Sequence, residues 1–589
     1  METQDIFCAF EALVKKSFLE VMKNHNQAAV DPALLSDNAI KVETPKDPKF
    51  GDMSSNVAMV FAKAAGMNPR ELAEDITAVL QRDDRVLNVN VAGPGFINWA
   101  LSPNYVQKCL AEVISIPGER FGLQDLGQGQ KVNIEYVSAN PTGPLHAGHA
   151  RGAVVGDVLA NLLNAVGYDV TKEYYINDAG SQIDTLARSV YHRYCEQLGR
   201  DMGPLPDNCY PGEYVSEIAQ KLIKLHGDKF LDQPEQEWSP SFKQFSVQDQ
   251  MAIVKQDLAE LGVHHDVFVS EASLIEKGLV KQTLEYLKSK GLVYQGVLTP
   301  PKGKTVDDWE PREQILFKST AFGDEIDRPL LKSDGTWTYF ASDIAYHRDK
   351  LERGYDVLIN FWGADHGGYV KRMEAAVDAL AGKKLTVKIC QLVKFIMDGK
   401  DVKMSKRAGT FITMRDVLDA VGRDVTRFIM LTRRDDVVLD FDFAQVVEKS
   451  RDNPVFYVQY AHARICSVFR QYRESFGRDF SADTAKNADL SQLSSEEELA
   501  QIKLLLQWPR VLNTAASALE PHKIVFFLQE VAAGLHILWN AGKNDLTLRF
   551  VNPNNEAETA SRLALLYATK MVISSGFKIV GIDPVEELR

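Results

Sequence analysis

Two histidines, His146 and His149, bracket Gly148 in the stretch PLHAGH, where a strand-like run gives way to a helix-like one. Three residues apart, they share one face of a first helical turn. The backbone N–H groups of such a turn are unpaired and the helix dipole is positive there, which favours an anionic phosphate. Gly148 has no side chain and lets a flat base come close to the backbone. For an isolated HxGH, a local cap whose histidines bond only to their surroundings is the plainer alternative. A second chemical stretch is DVKMSKRAGT, residues 401–410, in which Lys403, Met404, Ser405, Lys406 and Arg407 run into an Ala-Gly turn. Lysines on a glycine-containing loop suit a group that closes over a triphosphate and neutralises charge as pyrophosphate leaves. The alternative is a solvated basic loop. The third stretch is FWGADHGGYVKR, residues 361–372, where Asp365, next to His366, suits ribose hydroxyls and Gly363 lets a ligand approach a strand end. Alone, an Asp-His pair after a strand is more often structural. Three such signals in this order on one α/β domain are far less readily coincidence.

These residues need a sheet to present them. From Lys131, KVNIEYVS, a proline and glycine turn, ARGAVVGDVLANLLNAVG and DVTKEYYIND read as strand, turn, helix and strand. Val154, Val155, Val158, Leu159 and Leu162 fall at helical spacing, with Gly167 near the helix end. This βαβ unit predicts an α/β fold, a Rossmann-like doubly wound parallel sheet with ligands beyond the carboxyl ends of its strands. Strand-like runs return at YDVLINFWG and LTVKICQLVKF, while residues 188–265, with GPLPDNCYPGEY and LDQPEQEWSPSF, read as an insertion. The expected domains are an N-terminal α+β domain over 1–118, the catalytic Rossmann-like domain over 125–445 and a C-terminal all-α helical bundle over 446–589, with FGLQDLGQGQ as a linker.

Bulk properties narrow the setting. A chain of 589 residues, 45% hydrophobic and 25% charged, has the composition of a multidomain globular protein. A formal charge of -13 argues against a nonspecific polyanion binder, although a local basic face can still meet nucleic acid. Six cysteines without a CxxC pair indicate neither a disulfide framework nor a zinc ribbon, and so a reducing compartment. The amino terminus lacks the apolar core of a signal peptide, and no uninterrupted apolar stretch approaches the roughly 18 residues of a membrane span. A cytoplasmic location without membrane contact is the expectation.

HAGH stands at the HIGH signature and KMSKR at the KMSKS signature of class I aminoacyl-tRNA synthetases. In EYVSANPTGPLHAGH, YYINDAGSQ, SDGTWTYFASDIAYH, NPVFYVQYAHARI, FGDMSSNVAMVFAK and VAGPGFIN, the chain resembles the arginyl-tRNA synthetase family over most of its length. The resemblance implies that ATP activates L-arginine to arginyl-adenylate, releasing pyrophosphate, and that the arginyl group then passes to the terminal adenosine of tRNA(Arg). It implies that His146 and His149 contact ATP phosphates in the transition state, that Gly148 packs against adenine and that Lys406, with Lys403, holds the leaving pyrophosphate. Gly363, Asp365, His366, Met404 and Ser405 complete the implied ATP site.

Arginine makes its own demands. A guanidinium is planar, permanently charged and rich in donors, so its pocket needs a carboxylate, further acceptors and an aromatic wall. Tyr339 and Asp343, at helical spacing, supply both and match the family's guanidinium contacts; Glu271 in FVSEAS matches another acidic contact. Ser138, Asn140 and His146 match residues that place the amino acid, and Glu135 supports them. Taken singly, Tyr339 reads more readily as core packing and the acids as caps or surface ion pairs. Tyr460 and Arg464, beside Tyr457 and His462, interleave aromatic and basic groups suited to unpaired anticodon bases. The N-terminal domain is similar to the module that meets the tRNA elbow.

Magnesium is expected with ATP, held by phosphates and water, and no protein-bound structural metal is expected. The expected partners are tRNA(Arg), L-arginine and ATP, without DNA, and the expected state is a monomer. Ser181 and Arg407 depart from the asparagine and serine common in the family. The competing readings are a lysine-specific synthetase, a small-molecule nucleotidyltransferase and a tRNA-binding protein that has lost catalysis.

Overall fold

A computed structural model describes residues 5–25, 39–298, 313–332, 334–397, 399–402, 412–448 and 453–587. The chain forms two compact units: Met1–Gln124, Ser450–Leu519 and Lys523–Arg589 make one, and Asp125–Lys449 with Glu520–His522 make the other. The first and last stretches of chain, separate in the sequence reading, thus cluster together.

The second unit is built on strands β1 (Lys131–Glu135), β2 (Asp169–Ile176), β3 (Val267–Ser270), β4 (Val357–Gly363) and β5 (Leu385–Cys390). They pair in parallel in the order β3-β2-β1-β4-β5. Connections run to opposite sides from β1 and β4, so the crevice between those strands is where a doubly wound sheet takes ligands. Helix α1 (Ala147–Ala165) joins β1 to β2, burying Val154, Val155, Val158, Leu159 and Leu162 as their spacing predicts. A Cβ on Gly156 would lie 2.4 Å from the Tyr136 ring, so glycine sets the approach of α1 to the chain leaving β1. At the next position, buried Asp157 accepts from Lys172 at 2.6 Å and Arg427 at 2.5 Å.

The predicted linker departs from expectation. Gly127 and Gly129 donate to the carbonyls of Val166 and Gly167 at 2.9 and 2.8 Å, and a Cβ on Gly127 would strike the Tyr168 backbone at 2.4 Å. Glycine serves close packing here rather than looseness. Between β2 and β3, helices α2 (Ser181–Gln197), α3 (Glu213–His226) and α4 (Glu235–Glu260) gather a core of their own around Tyr194, Leu222, Trp238 and Phe242. Helix α5 (Tyr339–Glu352) precedes β4, and α6 (Val370–Ala381) follows it.

In the first unit, antiparallel strands Val42–Glu43, Met53–Ser55, Phe96–Leu101 and Val86–Ala92 lie in that order, and Gly93-Pro94-Gly95 turns between the last two. Long helices Pro454–Phe476, His522–Asn544 and Glu556–Val580 dominate the carboxyl-terminal part. The last two are long and apolar enough to cross a membrane on length and composition. Within the fold, 83% of the apolar window of Glu556–Val580 and 44% of that of His522–Asn544 are buried, so packing accounts for much of that character.

Candidate active site

Beyond the carboxyl ends of β1 and β4 lies a cavity of about 1430 Å³. Its walls bring together His146, Gly148 and His149, then Ser138 and Asn140, then Glu271, Tyr339 and Asp343, and finally Gly363, Asp365 and His366. Glu135 lies beneath this wall, 5% exposed. Lys403, Met404, Ser405 and Lys406 lie outside the described residues. Tyr460 and Arg464 belong to the other unit.

At one end of the cavity, His146 caps α1 with extended backbone, and its N–H donates to His149 Nδ1 at 3.2 Å. In the neutral ring this leaves Nε2–H of His149 as a donor. The two imidazoles stack at 3.6 Å between centroids. A Cβ on Gly148 would sit 2.9 Å from His146 Nδ1, so any side chain there displaces the ring. Ala147 N–H donates to Ile412 O at 2.8 Å and Met414 N–H to Leu145 O at 2.8 Å, fastening the residues just after the lysine-bearing stretch to the HAGH turn. On the stretch's other side Val402 N–H donates to Phe395 O at 2.8 Å. The chain therefore enters and leaves residues 403–411 at fixed points, one of them against the histidines. Arg151, wholly buried, donates to the carbonyls of Gln391, Val437 and Arg434 at 3.1, 2.6 and 2.6 Å, tying α1 to the end of β5.

The middle of the cavity is shaped by an unusual backbone. Val137 and Ser138 have φ of 71° and 41°, and Ser138 N–H donates to Tyr136 O at 3.1 Å across a γ-turn. For a β-branched residue this region is an outlier, worth about 1–3 kcal/mol of strain. Neighbours hold it in place. Ser138 Oγ donates to Glu135 Oε1 and accepts from Tyr175 N–H, both at 3.1 Å. Tyr174 Oη donates to Ala139 O at 2.8 Å, and Asn140 Nδ2 to Gln182 Oε1 at 2.8 Å.

At the far end the cavity is acidic. Thr338 caps α5, which places half-exposed Tyr339 at the mouth and Asp343 one turn deeper. Asp343 Oδ2 accepts from Tyr369 Oη at 2.5 Å. Burial pushes its pKa up to about 7; the Tyr369 hydrogen bond opposes the rise and the charges of Glu271 and Glu135 add to it. Glu271 is 4% exposed, and its Oε2 has no hydrogen-bond partner among the described residues. Burial raises its pKa too, against a hydrogen bond from Ser342 and with help from Asp178. The buried Tyr175 hydroxyl also lacks a partner among the described residues.

Deeper still, the carboxylates are paired. Glu135 Oε2 lies 2.6 Å from Lys350 Nζ. Glu173 accepts from Arg353 through two bonds of 2.6 and 2.9 Å and from Tyr346 Oη at 2.6 Å. Burial works to raise the pKa of Glu173, but Arg353, Lys350 and Tyr346 together bring it down to about 2.

Sequence reading did not single out Tyr369, Gln182, Lys350 or the Asp207–Pro211 stretch that also lines the cavity. Tyr369 lay inside the quoted FWGADHGGYVKR, whereas Lys350, two turns beyond Asp343 on the same helix, carried no local signal. The 207–211 stretch, inside what reads as an insertion, carried none. Among the described residues, no group of three or more His, Cys, Asp or Glu side chains is placed to hold a metal ion.

In the other unit, Arg464 Nη2 donates to Tyr460 Oη at 2.7 Å, and its guanidinium lies 4.1 Å from the Tyr460 ring and 4.6 Å from the Trp539 ring. Tyr460 is 43% exposed. His462 is buried against Val585 O and Ser574, and belongs to the core.

A phosphate-ready helix terminus at the switch point of such a sheet, with Ile412 and Met414 fastened beside it, defines a class I aminoacyl-tRNA synthetase. Residues 116–468 match the model of the class I (R) tRNA synthetase catalytic domain, residues 14–101 that of the arginyl tRNA synthetase N terminal domain, and residues 458–588 that of the DALR anticodon binding domain. The arginine--tRNA ligase of Roseobacter denitrificans is 52% identical over 99% of this chain and 100% of its own length. That of Ruegeria pomeroyi is 52% identical over 97% and 98%. The arginyl-tRNA synthetase structure from Thermus thermophilus shares the fold, with a TM-score of 0.71 at 20% identity, covering 95% of this chain and 98% of that one. The chain belongs to the arginyl-tRNA synthetase family.

Proposed function

We propose that the chain activates L-arginine with ATP and transfers the arginyl group to the 3' terminal adenosine of tRNA(Arg). The observation that carries this reading is the pair of carboxylates, buried Glu271 and half-buried Asp343, at the opposite end of one cavity from the HAGH helix terminus. A guanidinium satisfies both acids, with Tyr339 as its wall. Ser138, Asn140 and His146 then hold the amino acid's polar end near the α-phosphorus.

A carboxylate oxygen of arginine bonds to the α-phosphorus, and the bridging oxygen leaves with pyrophosphate. His146 and His149 stabilise charge on the phosphates, and Lys403 and Lys406 hold the leaving group, with Met404 and Ser405 in the same stretch. Gly148 and Gly363 admit adenine; Asp365, with His366 beside it, takes the ribose. In the second step a hydroxyl of the terminal adenosine attacks the arginyl carbonyl and AMP departs. Magnesium travels with the nucleotide, and the ion supplies charge neutralisation at the phosphates when bound.

The 1–118 and 446–589 domains are assigned to the tRNA elbow and the anticodon, with Tyr460 and Arg464 at the latter. The protein acts as a cytoplasmic monomer, without DNA, and bound tRNA orders the amino-acid and ATP site. ATP–pyrophosphate exchange with each standard amino acid, with and without tRNA(Arg), tests the reading. Exchange with arginine alone, dependent on tRNA, is expected. Exchange driven by lysine, or none at all, overturns it.

A further inference from the structure

Lys350 is fully buried on α5, yet it is a hub from which two hydrogen-bond chains run to opposite ends of the amino-acid subsite. In the first, its ammonium donates to Glu135 Oε2 at 2.6 Å; the other oxygen of that carboxylate accepts from Ser138 Oγ at 3.1 Å. Because Ser138 Oγ also accepts from Tyr175 N–H, its hydroxyl has one direction left in which to donate, and the left-handed turn at 137–138 is held to the end of β1. In the second chain, Lys350 donates to Asn360 Oδ1 at 3.3 Å, which turns the amide nitrogen toward His347 Nε2 at 3.0 Å. Nε2 is thereby the acceptor, so the ring carries its proton on Nδ1 and donates to the backbone carbonyl of Asp343 at 2.8 Å. Burial keeps His347 neutral, with a pKa of about 4, and the nearby Lys350 charge pushes in the same direction.

We propose that Lys350 is a positioning residue that fixes the Ser138 and Asp343 ends of the amino-acid subsite relative to each other. It touches neither substrate. Its ammonium stands between strand β1, which carries the turn for the polar end, and helix α5, which carries the acid for the side chain. A ligand that must reach both ends gains from a fixed span, because a preorganised site loses less freedom on binding. ATP, held at the HAGH end, depends on neither chain.

This inference rests on the arginine reading above, so the test begins with arginine-dependent exchange by the unaltered protein. If that fails, the functional reading falls first. Given parent activity, Lys350→Met is expected to raise the KM for arginine by about tenfold or more while the KM for ATP shifts less than about twofold. A merely structural role predicts a different pattern in the double variant Lys350→Met with Glu135→Leu. That pair removes the stranded carboxylate and is expected to recover the melting temperature, as apolar replacements of buried ion pairs often do. The positioning role requires the arginine KM to stay raised even so. Asn360→Ala, which cuts the second chain, spares the ion pair and lies at a residue that holds no substrate, is expected to raise the arginine KM in the same sense, and serves where Lys350→Met fails to fold. An unchanged arginine KM in Lys350→Met and Asn360→Ala, a parallel rise in both KM values, or recovery of arginine KM together with melting temperature in the double variant overturns the proposal.

Discussion

Two pairs of acids sit close together in this protein and are treated in opposite ways. Glu135 and Glu173, under the cavity wall, each have a cation at 2.6 Å. Glu271 and Asp343, on the wall itself, have no ion pair among the described residues, and burial raises the pKa of both. Leaving a buried carboxylate without its cation costs several kcal/mol, so a fold retains such an arrangement where a ligand provides the missing charge. Asp343→Asn probes this directly. It keeps an acceptor for Tyr369 but cannot pair with a guanidinium, and should cost about 3–5 kcal/mol in kcat/KM for arginine. Because the fold no longer carries an unpaired acid, the same variant should melt higher than the parent at pH 8. A lower melting temperature with intact arginine use would place the acid among structural groups, alongside Glu135 and Glu173.

The HAGH end, proposed for the nucleotide, sharpens the contrast, since it presents donors where the other end presents acceptors. On the proposed reading His149→Ala removes a donor to phosphate charge and should slow activation by about 10²- to 10³-fold, mainly in kcat, with the arginine KM little changed. Equal loss in the arginine KM would mean that the two ends are not separable. On the paired side, Arg353→Met strands Glu173 and should destabilise the fold by about 3 kcal/mol in urea unfolding at pH 7. The pH dependence follows from the sign of the shift. Glu173, at about 2 when folded against 4.5 when unfolded, contributes stability above pH 4.5 that is lost as pH falls toward 2. In the variant that acid-labile contribution should shrink, with only Lys350 and Tyr346 left to lower Glu173, leaving a shallower loss between those values.

How far the sequence reaches is visible in the same residues. The parallel sheet was legible because β1, α1 and β2 combine an apolar run, a turn and a helical stripe, and periodicity reports burial on each face. His146, Gly148 and His149 announced themselves by spacing within one turn, and Tyr339 and Asp343 likewise. What spacing does not carry is a partner distant in the chain. Lys350 and Glu135 are 215 residues apart, and nothing local distinguishes Lys350 from a solvated lysine on a helix. The clustering of 1–124 with the carboxyl-terminal helices is of the same kind, since Gln107 bonds to Leu493 O and Lys503 to Asp52 across nearly the whole chain. The Gly127 and Gly129 stretch misled for a different reason. Glycine marks either freedom or close approach, and composition alone does not choose between them.

The smallest effect expected separates the two pairs of acids without altering a residue. Burial above all, opposed by the Tyr369 hydrogen bond and Lys350 and aided by Glu271 and Glu135, raises Asp343 to about 7, above the unfolded value of 3.8. The folded state therefore binds more protons than the unfolded one between those values, so this group's contribution to stability falls as pH rises through the window. On the proposed reading, arginine requires the ionised form. Its affinity should accordingly climb by about tenfold from pH 6 to pH 8 and level off above, because the ionised fraction grows by about that factor around a pKa of 7. At pH 6, binding should expel close to one proton, about 0.9 by the same equilibrium. Calorimetric titration of arginine in buffers of different ionisation enthalpy reads that proton directly. Asp343→Asn should abolish the release, whereas a change at Glu173, already ionised throughout this range, should leave it intact. An affinity that does not vary with pH in the unaltered protein would mean that Asp343 is ionised before arginine arrives, and that the cavity's acids are compensated in the empty site as fully as those beneath it.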